Sequence, residues 1–208
     1  MDNIMEITDL EFKEVIDFHG HVCPGIAYGI KVALCALEKL GPWAEDEELV
    51  AIVENDACPV DAVQVLTGCT FGKGNLIFRN HGKQAYTFLN RNTGDGIRIS
   101  FKNFKPQENA EEKAAWEAFS SGDRSTEVMT TIEKRKANRI KQVLNTPADD
   151  LFEINPLSAT LPEKARIFPS VDCAVCHEKV MEPMARITGG KIVCIPCASE
   201  AAAQIWSK

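Results

Sequence analysis

The sequence predicts an α+β protein, a mostly antiparallel sheet with packed helices followed by a small cysteine-rich module. Three observations carry that prediction. Apolar-periodic segments start at proline and stop at glycine, as helices do. Short β-branched and aromatic runs cluster between residues 75 and 102, separated by turn sequences. Four of the eight cysteines fall into two C-x-x-C pairs beyond residue 170.

The elements follow in chain order. TDLEFKEVIDF, residues 8–18, opens with Thr8 and sets Glu11 three positions on, the capping box of a short helix. PGIAYGIKVALCALEKLG starts a longer helix at Pro24 and stops it at Gly41, with Ile26, Ile30, Leu34, Leu37 and Leu40 near one face. ELVAIVEND reads as a buried strand, and PVDAVQVLTG as a second helix bounded by proline and glycine. NLIFRN, QAYTFLNR and GIRISFK read as antiparallel hairpin strands separated by HGK and NTGDG. Residues 107–121 and 123–145 have helical character, and the charges of EKRKANRIK mark a solvated face. Residues 146–168 carry Pro147, Pro156 and Pro162 with little periodicity and read as a connecting arm. The core is thus expected to span residues 1–168 and the terminal module residues 169–208.

That module carries CAVC at 173–176 and CIPC at 194–197, a C-x2-C-x17-C-x2-C spacing whose four thiolates suit tetrahedral zinc. Iron fits the same ligands, although the C-x2-C-x2-C-x3-C run of bacterial ferredoxins is absent. Between the pairs lie a strand, a Gly-Gly turn and another strand, and a helix begins at the last pair. Knuckle, hairpin and helix in that order are the treble-clef layout. Too short to bury much apolar surface, such a module draws its folding free energy from the metal, so Cys173, Cys176, Cys194 and Cys197 are assigned to structural zinc.

A formal charge of -7 disfavours binding to phosphate backbones, so no nucleic-acid partner is expected. No run of about 18 apolar residues and no basic leader with an apolar segment are visible, so a cytoplasmic protein without a membrane span is expected. Paired rather than dispersed cysteines point to metal or redox chemistry in a reducing compartment, not to a disulfide framework.

The core has its own constellation in FHGHVCPG, residues 18–25. Side chains alternate along an extended segment, so His19, His21 and Cys23 would project together within reach of one metal ion. Pro24 places Cys23 at a helix N-cap, where unsatisfied N–H groups favour a thiolate and lower the thiol pKa. Cys58 precedes Pro59 in the same way, after Glu54 and Asp56 and before Asp61. The two Cys-Pro helix starts are expected to face one pocket, with Cys23, Cys58 and Asp61 as catalytic candidates. Burial of both cysteines as small hydrophobes is the alternative.

GCTFGKGN, residues 68–75, resembles a phosphate loop but is one residue short of the P-loop spacing, carries Gly74 in place of Ser or Thr, and follows a helix. Nucleotide hydrolysis is therefore rejected. Cys69, Thr70, Lys73 and Asn75 are retained as candidate lining of the Cys23 pocket, where amides and a cation would hold an anionic group; the alternative is a tight turn. His81 beside Lys83 is a lesser candidate in a turn, and Cys35, in mid-helix, is assigned no chemistry.

FHGHVCPG, the helix after it, CPVDAVQVLTGCTFGKGNL and the terminal CAVC and CIPC pairs together resemble the formylmethanofuran dehydrogenase E-subunit family over nearly the whole chain. The resemblance implies an α+β core, a C-terminal treble-clef zinc finger, a homodimer, and a core site built on the His-x-Cys-Pro motif. It leads to two expectations. The first is a metal- and thiol-dependent redox enzyme, or an enzyme or accessory associated with molybdenum or tungsten enzymes, with a second metal in the core and a larger redox complex as partner. The second is a non-catalytic zinc-binding protein whose finger docks a larger complex.

Overall fold

The computed structural model describes residues 7–41, 48–158, 160–164 and 167–199, divided between one unit ending at Lys164 and a second beginning at Ala165. The first helix, α1 (Asp9–His19), has the predicted capping box: Thr8 accepts from the Glu11 N–H while the Glu11 carboxylate accepts from the Thr8 N–H. The central helix, α2 (Pro24–Leu40), is buried along most of its length, including Ile26, Ile30, Val32, Ala33 and Ala36. It runs against α3 (Pro59–Thr67), and the approach is close. A Cβ on Gly29 would lie 2.4 Å from the Pro59 carbonyl oxygen, so only glycine admits this packing.

The five-stranded sheet has the order β2-β1-β3-β4-β5, with β1 (Leu49–Val53) between β2 (Leu76–Phe78) and β3 (Ala85–Asn90). Beyond β3 lie β4 (Gly96–Phe101) and β5 (Phe152–Leu157). β1 is buried on both faces, and its side chains alternate as the pleat requires. Leu49, Ala51 and Val53 join the main core with α2, Tyr86, Phe88 and Phe152, whereas Val50 and Ile52 meet Leu89 on the other face. The sheet is mostly antiparallel, as expected: β1–β3, β3–β4 and β4–β5 all pair that way.

Two expectations fail. NLIFRN does not form a hairpin with QAYTFLNR; β2 pairs in parallel with β1, Ala51 opposite Leu76, because α3 carries the chain back along the sheet before β2 begins. The segment after β2 then crosses the end of β1, where Arg79 N–H donates to Val53 O and Lys83 N–H to Glu54 O, and enters β3 on the other side. Nor is 146–168 merely an arm. After a single turn of helix, α6 (Ala148–Leu151), the chain becomes β5, with Leu151 and Phe152 buried. Pro156 suggested a loop, but an edge strand accommodates a residue that cannot donate to the ladder.

The helices α4 (Ala110–Ser120) and α5 (Thr126–Asn145) complete the first unit, α4 opened by a second capping box between Asn109 and Glu112. No described helix is long and apolar enough to cross a membrane.

In the second unit, β6 (Ser170–Asp172) and β7 (Lys179–Met181) form one hairpin, and β8 (Arg186–Thr188) and β9 (Lys191–Val193) a second that turns at Gly189-Gly190. Helix follows at residues 195–199; the rest of the helix expected from CASEAAAQIWSK lies outside the described residues.

Candidate metal and thiol site

His19, His21 and Cys23 do converge, their ligand atoms all within 4.8 Å of one another, but not by strand alternation. His19 is the last residue of α1, and Gly20, at φ 86°, turns the chain out of the helix in a left-handed conformation that a Cβ would penalise. That turn brings the His21 ring alongside His19, with centroids 4.4 Å apart. Cys23 then caps α2, its Sγ accepting from the Ile26 N–H at 3.4 Å, as Pro24 predicted.

His19 is held from both sides. Its Nδ1 meets Asp61 Oδ2 at 2.7 Å, and its Nε2 faces Cys23 Sγ at 3.8 Å. Asp61 lies in the first turn of α3, so a carboxylate on one helix orients a histidine at the end of another. This is how ligand histidines are fixed in metal sites: a carboxylate on one ring nitrogen leaves the other free for an ion. The His19 side chain is 10% exposed and that of Asp61 35%, which leaves the pair at the edge of solvent. The donor set, two imidazoles and a thiol, fits a borderline divalent ion, and three protein ligands leave a coordination position open.

The two Cys-Pro helix starts face each other as expected. The Cys58 thiol is hydrogen-bonded to Cys23, and both cysteines are half-buried. A Cβ on Gly25 would lie 2.9 Å from Cys58 Cβ, so glycine at this point of α2 is what admits Cys58. The expected lowering of the Cys58 pKa is not found. Burial, the hydrogen bond and charge of Cys23, and the charge of Asp61 together push the thiol up, and its side chain caps no helix N–H. Asp56 is exposed and contributes nothing visible to the site.

GCTFGKGN does not line this pocket. It follows the C-terminal end of α3, whereas Cys58 precedes the N-terminal end, and nine helical residues separate the two by about 13 Å. The turn has a structural task. Cys69 is fully buried with Sγ on Leu49 O, and burial pushes its pKa up to about 11. Asn75, equally buried, donates to Leu49 O and accepts from the Thr70 N–H, while Thr70 Oγ1 accepts from the Lys73 N–H. Cys35 is also buried and raised to about 11.

Beside Cys58 lies a polar cluster that the motifs do not reveal. Glu54 is 8% exposed and pairs with both Arg98 and His81, its Oε2 3.1 Å from His81 Nδ1. Burial raises the Glu54 carboxyl, but these two partners outweigh it and hold the pKa below the ordinary value. Asn55 ties the following loop down, donating to Lys83 O and Tyr86 Oη and accepting from the Ala57 N–H. The only sequence signal for this cluster was the acidic end of the first strand, with Arg98 far along the chain.

In the second unit the ligand atoms of Cys173, Cys176, Cys194 and Cys197 lie within 4.8 Å of one another. Backbone N–H groups, including that of Cys194 at 3.3 Å, point at Cys173 Sγ and lower its pKa to about 6. The neighbouring thiols then resist ionising, Cys197 rising to about 12. Four sulfurs that cannot all carry charge alone, set on donating amides, are a donor set that zinc fits.

Fold and donor sets together define a metal-binding protein with an α+β core and a C-terminal four-cysteine zinc finger. Residues 18–153 match the family described as "FmdE, Molybdenum formylmethanofuran dehydrogenase operon", and residues 166–201 match the "Prokaryotic dksA/traR C4-type zinc finger". The chain belongs to the FmdE family. A curated relative, the "Probable S-adenosyl-L-methionine-binding protein" of Archaeoglobus fulgidus, is 32% identical over 191 residues. That alignment covers 88% of this chain and 50% of the relative, so the chain spans half the relative's length. The crystal structure of an FmdE-like protein of tungsten formylmethanofuran dehydrogenase type from Syntrophus aciditrophicus is similar over 96% of each chain, with 27% identity and a TM-score of 0.61.

Proposed function

We propose that the core site holds a catalytic divalent metal ion on His19 Nε2, His21 and Cys23, and that the protein serves redox metabolism as a molybdenum- or tungsten-enzyme-associated enzyme or accessory. The observation carrying this reading is the Asp61–His19 hydrogen bond beside a three-ligand cluster, because it leaves Nε2 free to bind. Bound there, the ion supplies a Lewis acid and an activated water in its open position. The chain's own part is to fix the ligands: Asp61 orients His19, Gly20 returns His21, and the start of α2 positions Cys23. Zinc in the finger is structural, since four thiolates fill its coordination.

Element-resolved analysis of protein purified without added metal tests the reading. Two ions per chain are expected, falling to one in Cys23→Ser and in His21→Ala. A wild-type value of one after incubation with excess Zn2+ refutes it. We also propose that the protein is a homodimer, closed two-fold pairs being the commonest assembly. A monomer mass by light scattering at micromolar concentration would end that proposal.

One observation favours the docking reading as a second. The finger exposes Val175, Met181, Met184, Ile187 and Ile192, a large apolar share for so small a unit. A finger that recruits a larger complex would cover them.

A further inference from the structure

Cys23 and Cys58 are brought together by features that a three-ligand metal site does not require. Each begins a helix, Cys23 before Pro24 and Cys58 before Pro59, on two different elements of the core. Gly25 makes the meeting possible. A Cβ there would lie 3.5 Å from Cys58 Sγ and 3.6 Å from Cys23 Sγ, so both sulfurs border the small space that the missing side chain leaves. The thiols are hydrogen-bonded to each other, and both stand at the edge of solvent. Cys58 lies outside the cluster formed by His19, His21 and Cys23, so its position is left unexplained by the metal reading.

We infer that Cys23 and Cys58 form a dithiol–disulfide couple that reduces small-molecule disulfides when no metal occupies the core. Cys23 is the attacking thiol. Its Sγ accepts the Ile26 N–H at the helix start and faces His19, both of which orient it. Attack on a disulfide RS–SR forms a Cys23–S–S–R bond and breaks the S–S bond of the substrate; the proton of Cys23 leaves with the departing sulfur as RSH. Cys58 then attacks the sulfur of Cys23, forming the Cys23–Cys58 disulfide and releasing a second RSH with the proton of Cys58. Two thiols of the protein are oxidised and one RS–SR is reduced to two RSH. Because the couple consumes the sulfur that would bind metal, disulfide and core metal exclude each other.

This inference deepens the proposed function through the same Cys23 but does not need metal to bind, and the two fail separately. The full chain is dialysed against chelator until element analysis gives no more than one ion per chain, then incubated with oxidised glutathione. Disulfides are mapped by peptide mass spectrometry. The wild type is expected to show a Cys23–Cys58 bond with little mixed disulfide. In Cys58→Ser the glutathione adduct is expected to accumulate on Cys23, at least about tenfold faster than on buried Cys35 or Cys69. Gly25→Ala, with circular dichroism confirming the fold, is expected to cut the Cys23–Cys58 bond at least about tenfold by separating the sulfurs. The inference is overturned if the wild type stops at a mixed disulfide, if the first adduct in the wild type lies on Cys58, or if neither thiol reacts. A failure here with two ions bound per metal-loaded chain leaves the metal reading standing, and the reverse holds equally.

Discussion

Asp61→Ala separates the role of the carboxylate from that of the ligands themselves. Asp61 Oδ2 lies 2.7 Å from His19 Nδ1 and is the side-chain partner of that nitrogen. Removing it leaves all three proposed ligand side chains in place but frees the imidazole to rotate and to change tautomer. Outer partners of this kind typically contribute 10–100-fold to metal affinity, or about 1.4–2.8 kcal/mol. Stability should change less. Asp61 is about one third exposed, and its charge in the first turn of α3 contributes roughly 0.3–1 kcal/mol to the helix start. The assay is a Co2+ titration of chains whose finger already carries zinc, read by the thiolate-to-cobalt absorption, with urea unfolding measured in parallel. The expected result is a second-site affinity at least about tenfold weaker, with a stability loss of no more than about 1 kcal/mol. Unchanged affinity, with Co2+ still bound through Cys23, would refute the claim that Asp61 holds His19 for the ion.

Other consequences are open to direct measurement. Cys194→Ser should abolish protease resistance beyond residue 165 while the first unit stays resistant, because the finger's folding free energy comes from its metal; a protected tail in this variant would contradict that. Gly29→Ala should destabilise by roughly 1–3 kcal/mol or more, since its Cβ would meet Pro59 backbone atoms at 2.4 and 2.6 Å and the two helices must part; a change in urea midpoint equivalent to less than about 0.5 kcal/mol would show that the packing yields. Stability should fall as pH rises from 9 toward 11. Cys35 and Cys69 ionise near 9.0 when unfolded but only near 11 when folded, so the unfolded chain loses protons first, and each thiol costs roughly 2–3 kcal/mol by the end of that window. Replacing both with alanine should flatten this slope, and an unaltered slope would place the alkaline loss elsewhere.

Much of the architecture was legible because its signals are local. The capping box of Thr8 and Glu11, the proline starts at Pro24 and Pro59, the glycine stops at Gly41 and Gly68, and the four-cysteine spacing each act within a few residues and appear where the sequence placed them. So does Cys23 as a helix cap. What the sequence could not determine depends on partners distant in the chain. Whether LIF pairs in parallel or as a hairpin is decided by where α3 delivers it, and whether FEINPL is a strand is decided by the free edge of β4. His19, His21 and Cys23 were correctly grouped for an incorrect reason, since a helix end and a left-handed glycine do what alternation was expected to do. The assignment of Asp61 to His19, the approach of Cys58 through Gly25 and the upward shift of the Cys58 thiol belong to the tertiary structure alone. Each depends on α1, α2 and α3 packing together, and the burial and neighbouring charge created by that packing outweigh the N-terminal position that sequence alone made visible.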